Sequence, residues 1–257
     1  MSMEKLIIPL NAFPQNELEE NGQHSFIKPL HEKGVYGVEI RRELFRDKEN
    51  DRIQTKKRLE ETSLFIVYSA PIQLWLEDGS LNQHELRVVF EEGEELHAQW
   101  VKISLGFYQE EKSSLEELQH FLNNYPALQL FVENDQTSYG GNIKRLQKFF
   151  EEASKSRVQV AMTFDSGNWL YTNQSLLEAI KKLSSYVQYI HLKHVYSLNG
   201  KLVTVSILDD LYEKWKDILL AFPRSTIKAL EFPIESIHHI DSLANHINSV
   251  TESEELV

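Results

Sequence analysis

Four short stretches of the chain end in side chains that bind cations or carry protons. "ALQLFVEN" (127–134) brings Glu133, "VQVAMTFD" (158–165) brings Asp165, "VQYIHLKH" (187–194) brings His191, and "TIKALEFP" (226–233) brings Glu231. In each, the polar group follows a strand-length run of apolar, β-branched residues. The third is the densest. Val187, Tyr189, Leu192 and Val195 read as a buried strand, yet His191, Lys193 and His194 crowd into the same positions. A carboxylate taken out of water is costly unless it is paired, hydrogen-bonded or bound to a metal. Three carboxylates meeting near one histidine repel one another, and a divalent cation resolves that repulsion economically. A salt-bridged cluster, neutralised in part by Lys102 and Lys193, is the alternative; the residue types alone leave both open.

For the four ends to meet, the segments that carry them must be neighbours aimed the same way. Strand-like runs also occupy 5–13, 34–40, 63–70 and 100–107, which makes eight. Most are nearly continuous apolar runs, as expected of strands covered on both faces. Amphipathic segments alternate with them at 23–34, 50–63, 84–98, 115–125, 142–154, 175–186, 207–222 and 237–249. Segment 142–154 puts Ile143, Leu146, Phe149 and Phe150 on one face, and 175–186 does so with Leu176, Ala179, Ile180 and Leu183. Segment 115–125 has Leu115, Leu118, Phe121 and Leu122 in helical register after a capping "SS".

Eight strands alternating with eight helices in 257 residues is the pattern and size of a closed (β/α)8 barrel. A doubly wound open sheet is the rival, but "NAFPQNELEENG" after the first strand holds no G-x-G-x-x-G. No Pro/Gly/Ser-rich linker and no shift in composition interrupts the chain, so one domain over 1–257 is expected. Barrel active sites lie at the C-terminal ends of the strands. All four groups sit there.

Composition narrows the partners. The chain is 41% hydrophobic and 26% charged, and its formal net charge of −12 repels a phosphate backbone and argues against nucleic acid. The acidic runs "EEGEE" (91–95) and "ESEE" (252–255) read as solvated faces and a frayed tail. No cysteine is present for a disulfide or thiolate site, no apolar run approaches a membrane span, and "MSMEKLIIPLNAF" lacks the pattern of an export signal. A cytoplasmic address and a small-molecule partner are the expectations.

The ordered motifs "VEN", "FDSGNW", "IHLKH" and "LEF", with "GVYGVEIRRE" (34–43) at the second strand, resemble the xylose isomerase-like barrel superfamily of sugar and sugar-phosphate isomerases and epimerases. That superfamily also contains endonuclease IV-type enzymes. The resemblance runs over nearly the whole chain. It implies that Glu133, Asp165, His191 and Glu231 bind one divalent metal, Mn²⁺ above Mg²⁺, Co²⁺ or Zn²⁺. It further implies that the metal holds a carbonyl and an adjacent hydroxyl of a sugar, sugar phosphate or sugar acid and stabilises an enediolate. Glu133 and Glu231 would transfer the proton. A dehydratase on the same barrel and a non-catalytic sugar-binding or regulatory barrel are the alternatives. Homo-oligomers are common among such proteins.

Two positions depart from the pattern. Asn168 stands where several sugar epimerases carry histidine, and His194 where relatives often have aspartate. Substrate contacts are expected from Lys193, which shares the strand face of His191, and from Asn168, Glu39, Lys102 and Trp169. Arg41 and Arg42 after Glu39 read equally well as surface ion pairs. Phe13 and Trp169 read as a sugar-facing wall or as packing. Tyr139-Gly140-Gly141 reads as a pocket lid or a simple turn. His238 and His239 are adjacent on a helix and face different ways, which disfavours a second metal. The histidine-poor site and the acidic charge set DNA repair aside.

Overall fold

The structure, a computed structural model, describes residues 5–209 and 214–252. Part of the expected helix 207–222 and most of the acidic run 252–255 lie outside the described residues. The described strands are β1 (Leu6–Pro9), β2 (Gly37–Arg41), β3 (Phe65–Trp75), β4 (Trp100–Gly106), β5 (Gln129–Glu133), β6 (Val160–Asp165), β7 (Val187–Leu192), β8 (His194–Leu198), β9 (Lys201–Val205) and β10 (Ile227–Leu230). Eight of them close into a barrel in the order β1-β10-β7-β6-β5-β4-β3-β2, and β8 and β9 form a separate ribbon. Each barrel strand falls within or close to an expected run, and the expected barrel is the observed one. By internal contacts the chain divides into two compact units, 67–189 and 1–66 with 190–257.

In the 67–189 unit, β4 pairs parallel with β3 and β5, and β5 with β6. Val101, Leu105, Leu130, Phe131, Val132 and Met162 are wholly buried, as strands covered on both faces require. The helix Ile143–Lys155 buries Ile143, Leu146, Phe149, Phe150 and Ala153, the expected face extended by one turn. Its first turn is held by Asn142, whose side chain accepts from the Arg145 N–H. Ser114 and Ser175 cap the helices Leu115–Leu122 and Leu176–Leu183 in the same way. Strand β3 runs five residues beyond its expected end, and its register shifts between Ser69 and Gln73. Pro71 lies inside that interval; it has no N–H for the ladder, so the pairing must bulge around it.

In the other unit, β1 pairs parallel with β10 and β2. Leu6, Ile7, Ile8, Val38, Ile40, Ala229 and Leu230 form its core. The β8–β9 ribbon is antiparallel, with His194 opposite Val205 and Leu198 opposite Lys201. The expected seventh strand ran through His194; the structure ends it at Leu192 and gives His194 to the ribbon. Asn199 and Gly200 turn it, both at positive φ (51° and 78°), the backbone a two-residue hairpin needs. Short helices at Gln15–Asn21 and Asn168–Tyr171 were likewise not expected.

Candidate active site

Glu133 closes β5 and lies between Ser104 of β4 and Thr163 of β6. Lys102, on β4, is 1% exposed, and its Nζ donates to Glu133 Oε2 at 2.7 Å. A lysine so deep needs a countercharge, and Glu133 supplies it.

Asp165 closes β6 in a frame of neutral amides. The Asn134 side chain pairs with its backbone at both ends, donating to the Asp165 carbonyl at 2.9 Å and accepting its N–H at 2.8 Å. Asp165 Oδ1 accepts the N–H groups of Gly167 and Asn168, each at 2.9 Å. Asn168 donates to the Asn134 carbonyl at 2.8 Å and accepts from Gln136 at 3.2 Å. Its amide thus ties together the loops that follow β5 and β6. Trp169 is 1% exposed and packs on Phe164, with ring centroids 5.4 Å apart.

The loop after Glu133 is anchored. Tyr139 stacks on Phe107 at 3.8 Å and accepts from Gln73 at 3.0 Å. A Cβ on Gly140 would collide with the Asp135 carboxylate, and one on Gly141 with the Asp135 carbonyl. These glycines serve close packing, which matches the expected turn better than the expected lid.

The 1–66 with 190–257 unit holds its candidates through ions. Glu39 on β2 and His191 on β7 are both fully buried, and His191 Nε2 lies 2.9 Å from Glu39 Oε2. Arg41 donates through Nη1 to Glu39 Oε1 at 2.8 Å and to Glu231 Oε1 at 3.0 Å, and through Nε to Glu43 at 2.8 Å. Lys193 Nζ donates to Glu231 Oε2 at 3.0 Å, and His191 Nδ1 lies 3.1 Å from that same oxygen. The Glu231 N–H donates to the Leu192 carbonyl, fixing the end of β10 against β7. Arg41, read from the sequence as a substrate contact or a surface ion pair, joins Glu39 to Glu231. Only a partner 190 residues away reveals its role. His194 stacks on Tyr196 within the ribbon, and Phe13 stacks on Phe26. His238 and His239 are exposed.

One ligand atom from each of Glu133, Asp165, His191 and Glu231 lies within 4.8 Å of the others. Three carboxylates and an imidazole form a hard-to-borderline donor set, suited to divalent Mn, Mg, Co or Zn. The cluster can hold a metal ion. It is the one such group among the described residues.

No protein-family model matches the sequence, and no curated protein matches it. Solved structures do. A xylose isomerase domain-containing protein from Salmonella typhimurium LT2 aligns at a TM-score of 0.66 and 12% identity, over 97% of each chain. Endonuclease IV from Thermus thermophilus aligns at 0.66 and 15%, over 97% of this chain and 99% of that one. The 3-keto-D-glucoside 4-epimerase from E. coli aligns at 0.58 and 14%, over 96% and 99%. At these identities the likeness is one of architecture, a closed (β/α)8 barrel.

Proposed function

We propose that this chain is a metal-dependent isomerase or epimerase of a sugar, sugar phosphate or sugar acid. It would act by moving a proton on a carbon beside a carbonyl, through an enediolate. The observation that carries the reading is the Glu133–Asp165–His191–Glu231 cluster at the C-terminal ends of parallel strands, in a fold shared with a sugar epimerase. A bound divalent ion, Mn²⁺ in the first instance, supplies Lewis acidity to the substrate oxygens. Glu133 and Glu231 remove and return the proton. Return to the same carbon gives an epimer, and delivery to the neighbouring carbon gives the isomer. Lys102 and Lys193, each 3.0 Å or less from one of these glutamates, stabilise negative charge where the proton is handled and bind substrate hydroxyl or acid oxygens. Asn168, Glu39 and Trp169 complete the proposed substrate-binding set.

Endonuclease IV shares the fold, but a net charge of −12 opposes docking on a phosphate backbone. Two measurements test the reading. Metal analysis of the purified protein and of Glu133→Gln asks whether the ion is there. Solvent deuterium incorporation into a panel of ketoses, ketose phosphates and keto acids, with Mn²⁺ added, asks whether carbon-bound protons exchange. Exchange that is lost in Glu133→Gln supports the proposal. Stoichiometric metal with no exchange across the panel favours a binding barrel.

A further inference from the structure

We infer that Glu39 and Arg41 are positioning residues that preset His191 and Glu231 as a two-ligand half of the metal site. The inference rests on the proposed metal reading and goes beyond the ligand set itself. Glu39 keeps its place in the proposed substrate-binding set, and this task is additional to it.

An imidazole can offer either ring nitrogen to a cation, and the hydrogen bond on the other nitrogen decides which. Glu39 Oε2 stands 2.9 Å from His191 Nε2. A buried carboxylate at that distance is an acceptor, so Nε2 carries the proton and Nδ1 carries the lone pair. Nδ1 then faces Glu231 Oε2 at 3.1 Å. A lone pair and a carboxylate oxygen that close repel unless a proton or a cation lies between them. Neighbouring ligands bound at about 2.1 Å to one ion sit about 3.0–3.4 Å apart, so the spacing is already that of a chelating pair.

The arrangement needs Glu39 fixed and charged although it is fully buried. Arg41 does both. Its Nη1 bridges Glu39 Oε1 and Glu231 Oε1, and its Nε is anchored on Glu43. One guanidinium thus sets the distance between the carboxylate that orients the histidine and the carboxylate that joins it as ligand. Lysine at 41 would keep the charge and lose the fork. Glu39 also raises the electron density at Nδ1 by accepting from the far side of the ring, which strengthens the histidine as a ligand.

The test compares wild type, Glu39→Gln and Arg41→Lys. Mn²⁺ dissociation constants are measured by chelator competition, and ¹⁵N imidazole spectra are taken with and without Zn²⁺. The His191 signal is assigned by its absence in His191→Gln. In the Zn²⁺-loaded wild type, Nε2 is expected protonated and Nδ1 metal-shifted. Glu39→Gln is expected to weaken Mn²⁺ binding roughly ten- to a hundredfold, the usual cost of losing such a partner. Arg41→Lys should weaken it less, with both variants folded by circular dichroism. A simple packing role would lower the melting temperature without touching the tautomer or the affinity. Metal on Nε2 in the wild type, or a Glu39→Gln affinity within twofold of wild type, overturns the inference and leaves the metal site standing. A wild type that binds neither ion overturns both.

Discussion

Asp165 in one compact unit and the His191–Glu231 pair in the other are held by opposite means. In 67–189, Asp165 is oriented by uncharged groups: the Asn134 amide grips its backbone and two backbone N–H groups take Oδ1. In 1–66 with 190–257, His191 and Glu231 are oriented by Glu39, Arg41 and Lys193, all of them ionic. In the same unit, Lys102 on Glu133 is a buried ion pair. An amide frame is satisfied in place and carries no charge penalty. An ionic frame is rigid and directional but depends on every member being present, because a buried charge left alone is far more costly than a buried amide. The contrast predicts that single substitutions on the ionic side are the more damaging.

The strongest way to break the contrast is Arg41→Met. It removes a cation from Glu39, which is fully buried, and breaking such a pair typically costs about 3–5 kcal/mol. Urea unfolding at neutral pH should show the loss as a lower midpoint with an unchanged slope. A loss under about 1 kcal/mol would mean that Glu39 is neutral in the fold or compensated elsewhere, and the ionic frame would lose its special standing.

Asn134→Ala probes the amide side. It removes two side-chain hydrogen bonds from the buried N–H and C=O of Asp165, each worth about 0.5–1.5 kcal/mol net, so about 1–3 kcal/mol together. The expected total is smaller than for Arg41→Met, with Asp165 misaligned and Mn²⁺ binding weakened. Equal losses in the two variants would erase the distinction between charged and neutral frames. A milder control lies outside both frames. Asn142→Ala removes only the cap of Ile143–Lys155, and its expected cost is about 1 kcal/mol with metal affinity unchanged.

The sequence carried the strand ends better than the groups that frame them. Barrel strands show as continuous apolar runs because both their faces are covered, and β6 ends at Asp165 where its run ends. The four cluster residues were legible for the same reason: Glu133 and Asp165 close their strands, Glu231 follows β10, and His191 stands one residue from the end of β7. Arg41 stayed undecided between a substrate contact and a surface pair, since only Glu231, 190 residues on, fixes its partner. Asn134 was hidden, because an amide mimicking a strand partner looks like any polar loop residue. The β8–β9 ribbon had a usable signal in "SLNGKL", where Asn-Gly sits between β-prone stretches, but the longer apolar run at 187–194 masked it. Short-range periodicity fixes elements well, whereas long-range ion pairing leaves no local trace.

The smallest expected effect asks whether burial, and not ion pairing as such, gives the ionic frame its weight. On the exposed face of Ile143–Lys155, Lys148 reaches Glu110 at 2.6 Å and Glu152 at 3.3 Å, and Lys155 reaches Glu152 at 2.9 Å. Hydrogen bonds from Lys155 first and then Lys148 hold the Glu152 carboxyl below its ordinary value of 4.5. A carboxylate lowered in the fold contributes stability that is present above the ordinary value and lost as pH falls through the lowered one. Lys148, raised chiefly by its hydrogen bond to Glu110, contributes below 10.5 and loses that contribution as pH rises through its higher folded value. Between those limits Lys155→Met should let Glu152 titrate nearer 4.5, read by ¹³C carboxyl shifts. The unfolding midpoint at pH 7 should barely move, because water and salt screen the exposed pair. A midpoint drop approaching that of Arg41→Met would show that ion pairs stabilise this chain wherever they lie, and the Glu39–Arg41–Glu231 frame would then be ordinary in its energetics as well as in its chemistry.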